Sequence, residues 1–374
     1  MTFVAAASMQ ASAHGSDNED RPLKEGPEAV SGPFFLSYSN GMTGASADRI
    51  TAHADALVQQ GRISDAYSML EREALAGHGP AAMHLAQWRL SGQIIRRDLG
   101  LARQYYGLAA KSGIAQAFDI YVALLASGAG GQSRDWSNAL SLLAQRAGED
   151  SVAARQSDLL AVMDINEDGD PRGRWQAETL CANAPFVRRF EHFLTEAECG
   201  YLVDKALPML QPAVVVDPQS GQFIADPVRR SRSAAFPFIL EDPVIHAINR
   251  RIARITATDY DQGEPLQLLC YQSGDEYRLH SDTLPVGHNQ RTDTFLICLS
   301  TGFEGGATVF PRAALSWRGA IGEALHFRNV DTSGAPDPLA WHAGEPVTQG
   351  VKYMLSKWIR HEPLDISGPP GRPF

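Results

Sequence analysis

A chain of 374 residues is longer than a single hydrophobic core usually sustains, so two folded units are expected. With 44% hydrophobic residues it can bury sizeable cores, and its formal net charge of −10 argues against DNA or RNA as a partner, since sequence-independent binding to nucleic acid depends on basic surface. No run approaches the ~18 apolar residues of a bilayer-spanning helix, and the four cysteines, at 181, 199, 270 and 298, lack the CxxC spacing of a zinc site and indicate no disulfide framework. A cytoplasmic protein with reduced thiols and no membrane partner is expected.

Residues 1–47, rich in Ser, Gly, Asp, Glu and Pro, read as a disordered leader. Ala11-Ser12-Ala13 looks like a signal-peptidase site, but the first arginine is Arg21, so the basic segment that precedes an export signal is missing.

Residues 48–163 turn to alanine- and leucine-rich helical periodicity with an internal repeat. GHGPAAMHLAQWRLSG at 77–92 aligns with SGIAQAFDIYVALLASG at 112–128, placing Gly77 over Gly113, Ala81 over Ala117 and Gly92 over Gly128. After one inserted residue, DLGLARQYYGLAAKSG at 98–113 aligns with DWSNALSLLAQRAGED at 135–150, Ala102 over Ala139. A helical hairpin repeating every ~36 residues has the length of a helical solenoid unit. The pattern resembles the SEL-type tetratricopeptide-like repeats. Such arrays stack into concave surfaces that hold proteins or peptides, and here they either do that or only pack on the rest of the chain.

Residues 164–184 read as an acidic linker. Asp164, Asn166, Asp168 and Gly169 mimic a calcium loop, but the twelfth position, where a bidentate Glu is needed, is Trp175.

From 185 to 366 a second unit follows, with 367–374 as a tail. FVRRFEHFLTEAECGYLVDKA predicts a short strand and then a helix, with Thr195 as N-cap and Glu198 completing a capping box. RRSRSAAFP reads as a strand and PVIHAINRRIARIT as an amphipathic helix. LQLLCYQSGDEYRLHSD at 266–282 reads as two strands about a polar turn at Gly274. Further strands are expected in RTDTFLICLS, after the glycine-rich GFEGGATVFP turn, in GEALHF, and in the closing HAGEPVTQGVKYMLSKWIRHE.

Two residues apart on an extended chain, His280 and Asp282 project to one face and can grip one metal ion together. His342 can close a facial triad, and two imidazoles with one carboxylate leave open positions on an octahedral ion, an arrangement suited to non-haem Fe(II) oxygenases. Lys352, ten residues on, supplies a cation for a co-substrate carboxylate. His326 is the competing third ligand, but it lacks the Gly-x-Pro-Val sequence and the lysine that follow His342. His288 sits in the loop TLPVGHNQR, where an exposed histidine is the plain expectation. In the last strand, alternation puts Lys352, Met354, Ser356 and Trp358 on one face, with Val351, Tyr353, Leu355 and Ile359 on the other.

This order of strands, glycines and ligands resembles the prolyl 4-hydroxylase family of Fe(II)- and 2-oxoglutarate-dependent dioxygenases, over about Pro185 to Pro363. The resemblance implies a double-stranded β-helix, or jelly-roll, with supporting helices on one side. The whole chain would then be an α+β multidomain protein, a helical repeat region followed by that jelly-roll.

It also implies His280, Asp282 and His342 as Fe(II) ligands, and Lys352 and Tyr271 as contacts of 2-oxoglutarate. Arg291 and Trp358 would lie toward the substrate, O2 would be consumed, and ascorbate would be an accessory. The reaction implied is hydroxylation of a prolyl residue in a protein or peptide, with release of succinate and CO2. Free amino acids, non-prolyl side chains and small metabolites stay open as substrates, as does an interaction protein whose oxygenase unit is only a scaffold. Cys298 departs from the pattern. It stands where many relatives carry a tyrosine that reaches 2-oxoglutarate, and a thiol is a poor hydrogen-bond donor.

Overall fold

The computed structural model describes residues 48–129, 133–216, 223–225 and 228–364. The leader expected at 1–47 and the tail at 367–374 lie outside the described residues.

The helical region runs through Arg49–Gln59, Ile63–Leu75, Gly79–Ser91, Leu99–Lys111, Ala115–Ser127, Trp136–Arg146 and Ser151–Val162. The repeat extends further than the two aligned copies. Helices starting at 79, 115 and 151 keep the same 36-residue spacing, as do those starting at 63 and 99. Each copy places a buried alanine at matching positions of its two helices. Ala81, Ala117 and Ala153 mark one helix of the hairpin and Ala66, Ala102 and Ala139 the other, all buried. Glycine ends two of these helices for a conformational reason: Gly92 and Gly128 adopt φ of 68° and 67°, a left-handed cap that costs other residues free energy. The partner helices start on Asp98 and Asp135, whose carboxylates accept the Leu101 and Asn138 backbone N–H groups.

The β-region is built on an eight-stranded sheet whose paired strands are antiparallel. Its spatial order is Glu178–Cys181, Val187–Phe190, Ala324–Arg328, Arg291–Cys298, Lys352–Arg360, Leu266–Tyr271, Arg232–Phe236 and Gln211–Pro212. A four-stranded sheet faces it, in the order Leu315–Trp317, Thr308–Phe310, His342–Gly344 and Tyr277–His280. Between the sheets lie Leu269, Leu296, Phe310, Phe327, Val347 and Met354, the jelly-roll interior. The Thr195–Glu198 capping box forms as expected: Glu198 N–H donates to Thr195 Oγ1 at 3.2 Å, and Thr195 N–H to Glu198 Oε2 at 2.7 Å.

The outer face of the large sheet carries the helix Pro243–Thr256, capped by Asp242. Its Ile245, Ile248 and Ile252 share one hydrophobic core with Phe193 and Phe295 of the β-region and with Val122, Leu143, Leu159 and Leu160 of the last three repeat helices. The repeats and the β-region therefore do not each close a private core. The 164–171 turn reinforces this junction. Asn166 Oδ1 accepts the Asp168 and Asp170 N–H groups, while Asp170 takes hydrogen bonds from Arg134 of the repeats and from Arg250 at 2.7 Å. All four cysteines are free thiols. Among the described residues no helix is long and apolar enough to cross a membrane.

Candidate active site

The two candidate histidines come together because of strand register. His342 and His280 are Cα partners where His342–Gly344 pairs with Tyr277–His280, and Asp282 follows immediately after the latter strand. The ligand atoms of the three residues lie within 4.8 Å of one another. His280 Nδ1 pairs with the Arg278 carbonyl at 2.8 Å and His342 Nδ1 with the Ala340 carbonyl at 3.0 Å. A carbonyl only accepts, so each Nδ1 carries the proton and each Nε2 presents a lone pair. Both lone pairs point at one carboxylate: His280 Nε2 is 3.5 Å from Asp282 Oδ1, and His342 Nε2 is 3.6 Å from Oδ2.

Electrostatics favour the ligand forms. Burial works against a charged Asp282, yet protonated His342 and His280 and the Thr294 hydroxyl draw its carboxyl far below the usual carboxylate range, and with the rings neutral a bound cation takes over the histidines' part. Burial pushes His342 down to about 4 against the pull of Asp282, so its ring is neutral near pH 7. His280 Nε2 is buried without a hydrogen-bond partner. An orphaned imidazole nitrogen beside a charged carboxylate is costly in a closed protein. It is the donor set of a divalent cation, and Fe(II) fits it.

The same cavity is lined by Tyr271, Leu269, Leu296, Met354, Trp358 and Lys352. Alternation on the last strand is as the sequence predicts, since Lys352, Met354, Ser356 and Trp358 all line it while Leu355 and Ile359 belong to the opposite core. Lys352 is buried, and its ammonium donates to the Gly306 carbonyl at 2.5 Å and lies 5.7 Å from the centre of the Tyr271 ring. Gly306 permits this approach. It has φ +65°, and a Cβ there would stand 3.1 Å from Val347 Cγ2 and 3.2 Å from Lys352 Cδ.

Residues 266–360 match the family model described as the 2OG-Fe(II) oxygenase superfamily. The probable prolyl 4-hydroxylase 10 of Arabidopsis thaliana is 33% identical over 221 residues, 52% of this chain and 75% of that protein. The probable prolyl 4-hydroxylase 4 of the same plant is 33% identical over 202 residues, 47% of this chain and 67% of that protein. The chain belongs to the prolyl 4-hydroxylase family. It is an Fe(II)- and 2-oxoglutarate-dependent dioxygenase, and O2 is its oxidant. Among solved structures, the viral collagen prolyl hydroxylase of Paramecium Bursaria Chlorella virus-1, in its 2OG complex, aligns with a TM-score of 0.39 and 23% identity, covering 48% of this chain and 98% of that one.

The other residues singled out in the sequence of this prolyl 4-hydroxylase homologue are placed around that cavity or away from it. Arg291 does not line the cavity. It forms a bidentate pair with Glu264, at 2.6 and 2.8 Å, and its guanidinium lies 3.9 Å from the centre of the Trp358 ring. Arg291 thus reaches the site through Trp358, whose ring is part of the wall. His326 is turned to the other side of the large sheet, where its Nε2 bonds Asp293 at 2.8 Å and its Nδ1 meets Arg188 at 3.0 Å, far from a ligand role. His288 is in the 283–290 loop and is not among the residues lining the cavity. Cys298 is fully buried between the sheets, with its thiol toward the Ser300 carbonyl, so it packs as a small apolar residue.

Several participants escape a reading of sequence alone. Tyr277 stacks on His280, with ring centres 3.5 Å apart and planes 14° from parallel. Glu264 anchors both Arg291 and Arg360. Thr294 donates to Asp282. Only Tyr277 lies close enough in sequence to the ligands to have been suspected.

Proposed function

We propose that this enzyme hydroxylates a prolyl residue in a protein or peptide, converting 2-oxoglutarate and O2 to succinate and CO2. In this reading His280, Asp282 and His342 hold Fe(II) on one face, and Lys352, helped by Tyr271, binds the distal carboxylate of 2-oxoglutarate. Bound iron would supply the site for co-substrate chelation and O2 chemistry. The protein's own residues do the rest. Backbone carbonyls hold both imidazoles in one tautomer, Lys352 supplies a charge without a carboxylate partner in its hydrogen bonds, and Leu269, Leu296 and Met354 keep water from the cavity.

The observation that carries this reading is one cavity lined by the three ligand candidates and a buried lysine. The prolyl substrate class is supported by the relatives, which are named prolyl 4-hydroxylases. Residues 185–366 would form the catalytic unit and 48–163 the repeat unit, with 164–184 connecting them and lending the strand Glu178–Cys181 to the edge of the large sheet. The repeats would present a concave surface to the polypeptide that carries the target proline. Free thiols at all four cysteines support a reducing, cytoplasmic setting.

The test is to incubate purified protein with Fe(II), ascorbate, 2-oxoglutarate and a panel of proline-containing peptides. Succinate release, with a mass gain of one oxygen atom on proline, is expected. Succinate release with oxygen placed on another residue would reassign the substrate, and no iron binding with any peptide would overturn the reading.

A further inference from the structure

We propose that Thr294 and Asn329 form a positioning relay that orients the Asp282 carboxylate for metal binding. The proposal rests on the reading of Asp282 as a ligand, and it assigns roles to two residues that touch neither co-substrate nor metal.

The geometry is a one-way chain of hydrogen bonds. Thr294 Oγ1 lies 2.7 Å from Asp282 Oδ2, and Asn329 Nδ2 lies 2.9 Å from Thr294 Oγ1. A threonine hydroxyl has a single proton to give. With the asparagine amide donating into its oxygen, that proton is directed at Asp282, where the acceptor is charged and the bond is strong. The opposite amide orientation would set an amide oxygen and a carboxylate in competition for one proton, leaving the charged group poorly solvated. Neither residue meets solvent, Thr294 being 0% and Asn329 1% exposed, so water does not substitute for either bond.

Both ends of the relay are anchored to backbone. Thr294 lies mid-strand, paired with Trp358 on one side and Phe327 on the other. Asn329 N–H donates to the Thr292 carbonyl at 2.8 Å, and the Asn329 carbonyl accepts from Asp337 N–H at 2.9 Å. Asp282, by contrast, lies beyond the end of its strand, where no sheet pairing fixes its side chain. Fixing Oδ2 sets the plane of the carboxyl group and with it the direction of Oδ1. The relay transfers the rigidity of the large sheet to the one ligand the small sheet leaves loose.

The experiment uses the full chain under anaerobic conditions and reads Fe(II) affinity by calorimetry, together with the charge-transfer absorption that develops when 2-oxoglutarate is added. Thr294→Val keeps the shape and removes the proton. It should weaken Fe(II) binding by about ten- to a hundredfold, the usual loss for a group that orients a metal ligand. Thr294→Ser restores the hydroxyl and should return both affinity and absorption to those of the wild type, which a purely packing role would not do. Asn329→Leu tests the outer bond, and it takes over if Thr294→Val loses the wild-type circular dichroism. Equal Fe(II) affinity in the wild type and in the folded Val or Leu variant overturns the relay. Failure of the wild type itself to bind Fe(II) overturns the metal reading instead, and the two failures are distinct.

Discussion

His280 and His342 face each other across paired strands, with ring centres 4.3 Å apart and planes at 59°, and each ring is steered by the carbonyl two residues before it in the chain. The same local hydrogen bond on two neighbouring strands sends both Nε2 atoms to the same side. The site therefore needs little rearrangement to accept a cation, since ligand tautomer and direction are settled by main chain that the sheet already holds.

His280→Ala and His342→Ala should each abolish iron-dependent succinate release and lower Fe(II) uptake to background, because two remaining ligands form no facial set. A chelator should inactivate the wild type and excess Fe(II) should restore it. Unchanged iron content in His342→Ala, measured by elemental analysis, would remove His342 from the centre.

Lys352 gives a pH dependence of fixed sign. Burial lowers its pKa to about 8, with Arg318 adding to the effect and Cys298 opposing it, while the rings of Tyr271 and Phe303 lie within 6.0 Å of its ammonium. The binding-competent ammonium is therefore present below about 8 and is lost as pH rises through that value. The apparent KM for 2-oxoglutarate should climb about tenfold per pH unit above it. A bound carboxylate raises the pKa again, so kcat at saturating co-substrate should stay nearly flat over the same range. Lys352→Met should raise the KM by about thirtyfold or more, equivalent to about 2 kcal/mol. A KM for 2-oxoglutarate that ignores both pH and Lys352→Met would place the carboxylate elsewhere.

What could be read before the structure was local. His280 and Asp282 share a face by period two, Lys352 and Trp358 follow the same rule on the last strand, and Thr195 with Glu198 is a cap written in four residues. What could not be read depends on distant partners. Lys357 stands on the face that alternation assigns to Val351, Tyr353, Leu355 and Ile359, and it is buried as Leu355 and Ile359 are. Its burial is eased by the charges of Glu241 and Glu264, contributed by loops some hundred residues earlier. The carboxylate that holds Arg291 is likewise unreadable from the local sequence, because Glu264 lies 27 positions away. The last repeat copy, in Ser151–Val162, was hidden because little but Ala153 stays in register with Ala81 and Ala117.

Glu264 makes a stability prediction. It is 1% exposed and accepts from Arg291 and Arg360, whose charges outweigh burial and hold its carboxyl low. Glu264→Gln strands two guanidinium groups in the interior, and losing one partner of a buried ionic group costs about 3–5 kcal/mol. Urea denaturation should show that loss, with Arg291 no longer held over Trp358 and the peptide KM raised. A midpoint equal to that of the wild type would mean that water reaches the cluster.

The shared core decides whether the repeats are a detachable module. Val122, Leu143, Leu159 and Leu160 pack in one cluster with Ile245, Ile248 and Ile252 of the helix that backs the large sheet. A chain beginning at residue 164 would expose that apolar face, a patch that in water promotes association. It should aggregate or melt without cooperativity, even with every ligand residue present. Leu160→Ala in the full chain samples the same interface gently and should cost about 2–5 kcal/mol, the usual loss for a buried leucine. If thermal melts instead show a monomeric, cooperative fragment with the stability of the full chain, the helices are an attached recruiting arm. If both changes destabilise the catalytic unit, the repeats are part of its fold, and any polypeptide they hold is held at a fixed position relative to the iron site.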